Sequence, residues 1–160
     1  MNIFAVDENP VTAAQMLGSQ HVIKMALETT QILTTSVRWY GAEDDDLPLT
    51  KSGTPYRSTH VNHPSCVWAR ESRANFNWLV EHGIALCDEY EKRYGKVHAC
   101  LGPIQHLSRL AHFIPEGEQT PFSMAMPDEF KSDDPIESYR AYYRTKTFLH
   151  WNHSTPPSWF

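Results

Sequence analysis

The stretch Arg73 to Lys96, RANFNWLVEHGIALCDEYEKRYGK, decides how the whole chain is read. Phe76, Leu79, Val80, Gly83, Cys87, Tyr90 and Tyr94 recur at spacings of three and four, the period that gathers apolar side chains on one helix face. Ser72 stands where its hydroxyl can cap the first turn, and Gly95 where the helix can stop. A long helix with one apolar stripe has to bury that stripe against other helices. The expected fold is therefore mainly α, a helical bundle.

Working back from this helix, Pro64 predicts a short helix through Arg70, entered from the segment STHVNHP with His60 and His63 three residues apart. Before it, residues 41–58 carry the acidic run EDDD and the breakers Pro48, Gly53 and Pro55, which reads as a long surface loop of the kind that often serves a site. A second long helix is expected from Gln20 toward Trp39, with Ser19 as its cap and Val22, Met25, Ala26, Thr29, Leu33 and Val37 facing inward. His21, Lys24, Glu28, Gln31 and Thr35 recur on another of its faces. Pro10 opens a brief helix through about Leu17, and MNIFAV ahead of it reads as a short extended segment, either one strand or a buried arm.

Working forward, a helical stretch is expected between His98 and Phe113, weakened near its start by Gly102 and Pro103. Then DDPIESYRAYYRTKTFLHW carries a helix-start signature, Asp134 as cap, Pro135 at the first position and Glu137 at the third. The tail, residues 152–160, should be extended. With 160 residues, 41% of them hydrophobic, the chain suits one domain spanning 1–160 better than two of marginal size.

Nineteen acidic and fourteen basic residues give a net charge of −5, which argues against a surface that is basic throughout, though not against a local basic pocket. Cys66, Cys87 and Cys100 form no C-x-x-C pair, so a reducing cytosol is expected rather than a disulfide framework. No leader peptide or membrane-spanning run is read, and the expected location is the cytoplasm, with no membrane partner.

Two groupings carry possible chemistry. His60 and His63 supply only half of a zinc site, which His98, Cys100 or Glu28 would have to complete, so the expectation is no metal and no cofactor. His21, Lys24 and Glu28, at i, i+3 and i+7, present a proton carrier, an amine and a carboxylate along one helix. An amine can attack a sugar C1′ or form a Schiff base, and a carboxylate can stabilise a cationic sugar or position a water. The plain alternative is that Lys24 and Glu28 form an exposed i,i+4 pair. Arg70, Lys96, His98, Arg140 and Lys146 join His60 and His63 as candidate ligand-binding residues, although Lys96 and His98 also suit a helix C-terminus for its dipole alone. Among Trp68, Trp78, Tyr139, Tyr142 and Tyr143, a core role is the usual one.

The segments HVIKMALE (His21 to Glu28), THVNHP (Thr59 to Pro64), WARES (Trp68 to Ser72), ALCDEYEKRYGKVH (Ala85 to His98) and AMPDE (Ala125 to Glu129) resemble a group of proteins of tailed phages and large DNA viruses. That resemblance spans nearly the whole chain and by itself implies little about activity. Gln20, His21 and Glu28 also resemble the pyrimidine-dimer DNA glycosylases of phages, small helical glycosylase/lyases in which a Gln-His pair precedes a catalytic glutamate by seven residues. The resemblance implies a catalytic role for Glu28. Those enzymes are basic and use the α-amine exposed after methionine removal. This chain is acidic, and Asn2 is too large for the usual removal of Met1. The nucleophile would then be Lys24 or the Met1 amine.

The expected function is a viral enzyme acting on nucleic acid or nucleotides, with N-glycosidic cleavage its most concrete form and His21, Lys24 and Glu28 as catalytic residues. The alternatives are a protein that sequesters a small nucleotide signal of host immunity, and a protein-interaction module.

Overall fold

The computed structural model describes residues 1–160 and has six α-helices and no strand ladder. They are α1 (Pro10–Met16), α2 (Ser19–Trp39), α3 (Pro64–Glu71), α4 (Arg73–Tyr94), α5 (Leu101–Ser108) and α6 (Pro135–Tyr143). The long helices α2 and α4 pack together at the centre, α1 and α5 lie against α4, and α3 spans α2 and α4. The buried apolar side chains of all six helices join one cluster of 33 residues. It is a helical bundle.

Three of the expected caps form, on two helices: Ser72 accepts the Asn75 N–H and Gly95, with φ 71°, ends α4, while Asp134 accepts from Ile136 and Glu137 at α6. Ser19 does not cap α2. Gly18 holds that position, and the Ser19 hydroxyl is instead 3.3 Å from the Arg93 guanidinium and accepts the Asn152 N–H at 2.9 Å. Arg93, with a fully buried side chain, also pairs with Glu89 at 2.9 Å and donates to the Leu17 carbonyl at 2.7 Å and the Gln15 carbonyl at 3.0 Å. It satisfies carbonyls at the end of α1 that no helix bond can reach.

The expected helix from His98 to Phe113 is shorter, ending at Ser108. Beyond it the chain turns outward and offers the Ala111 and Ile114 carbonyls to the Arg73 guanidinium, each at 3.1 Å. The tail is not simply extended. Its last residues fold back, with the Trp159 and Phe160 rings each 6.1 Å from that of Tyr143.

MNIFAV is a buried arm and not a strand: Asn2 to Val6 are all buried, and Phe4 takes a left-handed φ of 54°. Loop 41–58 holds one 3₁₀ turn, Asp44–Asp46, and an isolated bridge between Leu49 and Pro55. All three cysteines are free and buried, and no helix is long and apolar enough to cross a membrane.

At Gly83 three helices converge, and a Cβ there would stand 2.8 Å from Thr29 Cγ2 and 3.0 Å from Ile104 Cδ1. Small-to-large changes in such packing cost about 1–3 kcal/mol. Gly83→Val is expected to lower the urea midpoint accordingly with an unchanged m-value; an unchanged midpoint would show that α2, α4 and α5 have room to spare there.

Candidate active site

Glu28 sits in the middle of α2, and its side chain is only 10% exposed. Its Oε1 lies 3.3 Å from the α-amine of Met1 and accepts the backbone N–H of Asn2 at 3.1 Å. Its Oε2 is buried without a hydrogen bond, and the nearest cation, Lys24 Nζ, is 3.6 Å away and largely exposed. Lys24 and Glu28 therefore do form the i,i+4 pair, but the carboxylate belongs to a buried cluster and not to a solvated stripe. A carboxylate with one oxygen committed and one free is poised to meet a ligand.

The arm that brings the amine here is fastened at several points. Asn2 Nδ2 donates to the Ala125 carbonyl at 2.8 Å, and Asn2 Oδ1 accepts the N–H groups of Ile3 and Phe4 at 2.7 and 3.0 Å. The Phe4 ring stacks on His21 at 4.6 Å, Arg140 Nε holds the Val6 carbonyl at 2.8 Å, and Trp78 Nε1 holds the Glu8 carbonyl at 2.8 Å. Lys146 places its ammonium 4.5 Å from the Tyr142 ring centre and 5.4 Å from that of Phe4. Of the sequence candidates, His21, Arg140 and Lys146 thus all touch or hold the arm.

His21 is buried, and its Nδ1 lies 2.8 Å from the Tyr143 hydroxyl, which itself accepts the Gly18 N–H at 2.9 Å. The phenol oxygen thus links the His21 ring to the backbone at the start of α2. Burial, and then the charges of Lys146 and Lys24, push the His21 pKa down to about 4. It is neutral at physiological pH.

On the other side of Glu28 stands the segment that bears His60 and His63. The Thr35 hydroxyl of α2 accepts the Thr59 N–H at 3.0 Å, and Arg70 holds the Val61 carbonyl at 2.6 Å while lying 3.9 Å over the Trp39 ring. His60 takes φ 51° and bonds the Thr59 hydroxyl at 2.7 Å. His63 caps α3, its Nδ1 accepting the Ser65 N–H at 3.1 Å. Burial first, then the Met1 amine and His60, lower its pKa, against a smaller opposing pull from Glu28. Cys66 packs its Sγ 3.7 Å from Met1 Sδ, and burial raises its thiol to about 11, so it stays protonated. No group of three or more His, Cys, Asp or Glu side chains gathers in a metal-holding arrangement.

A buried carboxylate in contact with the chain's own α-amine is a constellation for attack at a sugar carbon, and a model described as pyrimidine dimer DNA glycosylase matches residues 1–101. The chain belongs to that family. The matched span carries the arm, α1 to α4 and the His60–His63 segment, and ends before the residues that fasten the arm from α6. No curated protein and no solved structure matches. Membership in the pyrimidine dimer DNA glycosylase family places the chain among DNA glycosylase-type enzymes acting on nucleic acid, and nothing favours a protein that only sequesters nucleotides.

His98 and Lys96 stand apart from this cluster. His98 Nε2 donates to the Ile23 carbonyl at 2.9 Å and its Nδ1 accepts the Cys100 N–H at 3.0 Å, so both ring nitrogens are engaged. Lys96 is exposed with no ionic partner. Lys51 and Arg57, not singled out from sequence, line a groove that begins at Lys24. Their only sequence signal was two cations within a breaker-rich loop.

Because the His21 pKa falls from 6.5 to about 4 on folding, the unfolded chain binds the extra proton between these values. Stability is full above about pH 6.5 and falls as pH drops toward 4. Denaturant melts at pH 7 and 5 are expected to show this loss, and a His21→Gln protein to show a smaller one. An equal loss in both would assign the acid sensitivity elsewhere.

Proposed function

We propose that the protein is a DNA glycosylase/lyase acting at pyrimidine lesions, with the Met1 α-amine as nucleophile and Glu28 as the carboxylate that serves it. The observation that carries this reading is the 3.3 Å contact between the amine and Glu28 Oε1, beside an oxygen left free.

In the unprotonated form the amine lone pair attacks C1′ of the damaged nucleotide. The glycosidic C1′–N bond breaks, its electron pair leaves with the base, and the base takes up a proton. Glu28 accepts the proton lost from the attacking nitrogen and stabilises the positive charge that develops on the sugar. Opening of the sugar ring, with a proton delivered to the ring oxygen, converts the adduct to a Schiff base. Loss of a C2′ proton from that imine then expels the 3′ phosphate, which is the lyase step.

Lys24, exposed beside Glu28, clamps a phosphate. His63, with Nδ1 occupied, has its N–H on Nε2 and can hydrogen-bond a phosphate through it. His21 supports the arm and takes no proton in the reaction. The backbone nitrogen of Asn2 is 3.1 Å from the same Glu28 oxygen, so loss of Met1 would leave the new α-amine at the same carboxylate.

Borohydride reduction during reaction with a thymine-dimer duplex is expected to trap a covalent adduct on the N-terminal peptide. Glu28→Gln should slow base release by about 10²–10⁴-fold and also lower the melting temperature, because the buried Met1 ammonium loses its charged partner, whereas Lys24→Ala should still be trapped. An adduct mapped to Lys24, or undiminished cleavage by the Glu28→Gln protein, would sink the assignment.

A further inference from the structure

A cavity of about 990 Å³ does not cover Glu28 but shares Lys24 with its cluster. Its walls are the outer face of α2 (Ile23, Lys24, Leu27), the hairpin of residues 49–59 and the turn into α5. Lys24, Lys51 and Arg57 line it, and no Asp or Glu does, in a chain whose net charge is −5. Neither Lys51 nor Arg57 enters an ion pair. A cation-only groove on an acidic protein concentrates positive potential locally.

The groove is also apolar where most surfaces are not. Ile23, Leu27 and Leu49 are 43%, 42% and 57% exposed, and all three face it. Cations combined with an uncovered aliphatic wall suit a nucleotide, whose phosphates are anionic and whose base offers a flat apolar face.

The hairpin is held firmly enough to keep this chemistry in place. The Thr50 N–H donates to the Thr54 carbonyl at 2.7 Å, the Tyr56 N–H to the Pro48 carbonyl at 3.1 Å, and the Arg38 guanidinium grips the Tyr56 carbonyl at 3.0 and 2.6 Å. Lys24 belongs both to the groove and to the Glu28 cluster, 3.6 Å from Oε2. Whatever occupies the groove therefore adjoins the reacting sugar.

We infer that this groove binds the nucleotide next to the reacting one on the same strand, with its phosphates at Lys51 and Arg57 and its base against Ile23, Leu27 and Leu49. The inference rests on the proposed glycosylase reading for the position of the reacting sugar. It assigns the 41–58 loop to substrate binding.

The test uses the full chain and a labelled single-stranded oligonucleotide carrying a tetrahydrofuran abasic analogue, with affinity followed by anisotropy across a salt series. The Lys51→Gln/Arg57→Gln double variant is expected to bind about tenfold or more weakly at low salt. Its log–log salt slope should fall by about 1.4, two phosphate contacts at roughly 0.7 each on single strands. The Lys51→Glu/Arg57→Glu form should bind more weakly still. Unaltered affinity and slope would overturn the proposal. So would a loss confined to duplex DNA, which would put the opposite strand in the groove. If the wild type bound in this salt-dependent way yet formed no adduct and cut nothing, the glycosylase reading would fail while the groove kept its nucleic-acid role.

Discussion

The constraint on which the rest of the structure depends is the burial of a chain-terminal ammonium against a single glutamate. Met1 and Glu28 are nearly removed from water, and a buried charge deprived of its partner costs about 3–5 kcal/mol. The arm can enter the core only because Glu28 awaits it, and Glu28 can be buried in α2 only because the amine and the Asn2 N–H arrive. The fastenings follow from that exchange: Phe4 on His21, Val6 on Arg140, Glu8 on Trp78 and Asn2 on Ala125. Two of the three non-glycine residues with left-handed backbone, Phe4 and His60, lie in the segments that flank this pair. Unfavourable backbone of this kind persists where surrounding contacts over-determine it, and it gathers at functional sites.

Electrostatics show why a total charge misleads. The acidic run at residues 43–46 is turned to its own structural uses: Glu43 and Asp46 cap each other across the 3₁₀ turn, Asp44 pairs with Arg38 at 2.8 Å, and the Asp46 carbonyl lies 2.7 Å from His106 Nε2. The cations of the same loop, Lys51 and Arg57, face the groove instead. A net charge of −5 therefore coexists with a groove whose only charged lining residues are Lys24, Lys51 and Arg57. What a nucleic acid meets is the local distribution and not the sum.

The helices were legible wherever the stabilising signal is local. Asp134-Pro135, His63-Pro64, Ser72 and Gly95 mark helix ends because caps and prolines act within one turn, and the period of Phe76, Leu79, Val80 and Gly83 marked the buried face of α4. Reading failed where a distant group competed. Ser19 is drawn to Arg93 and Asn152, and the end of α5 gives way to a turn whose carbonyls serve Arg73. The candidate polar residues were chosen by type, and type does not say which atoms will touch. Arg70, Arg140 and Lys146 read as ligand contacts, and in the fold their guanidinium and ammonium groups touch the His60–His63 segment and the N-terminal arm.

The sequence by itself determined a mainly helical chain, most of its helix boundaries and a resemblance to the pyrimidine-dimer DNA glycosylases carried by Gln20, His21 and Glu28, because these are encoded in spacings of a few residues. Only the tertiary structure decided that the Met1 amine meets Glu28, that His21 is buried against Phe4 and Tyr143, and that Lys51 and Arg57 line a groove with Lys24. Those outcomes depend on contacts between segments tens of residues apart, settled by burial and charge pairing across the fold, and no local period records them.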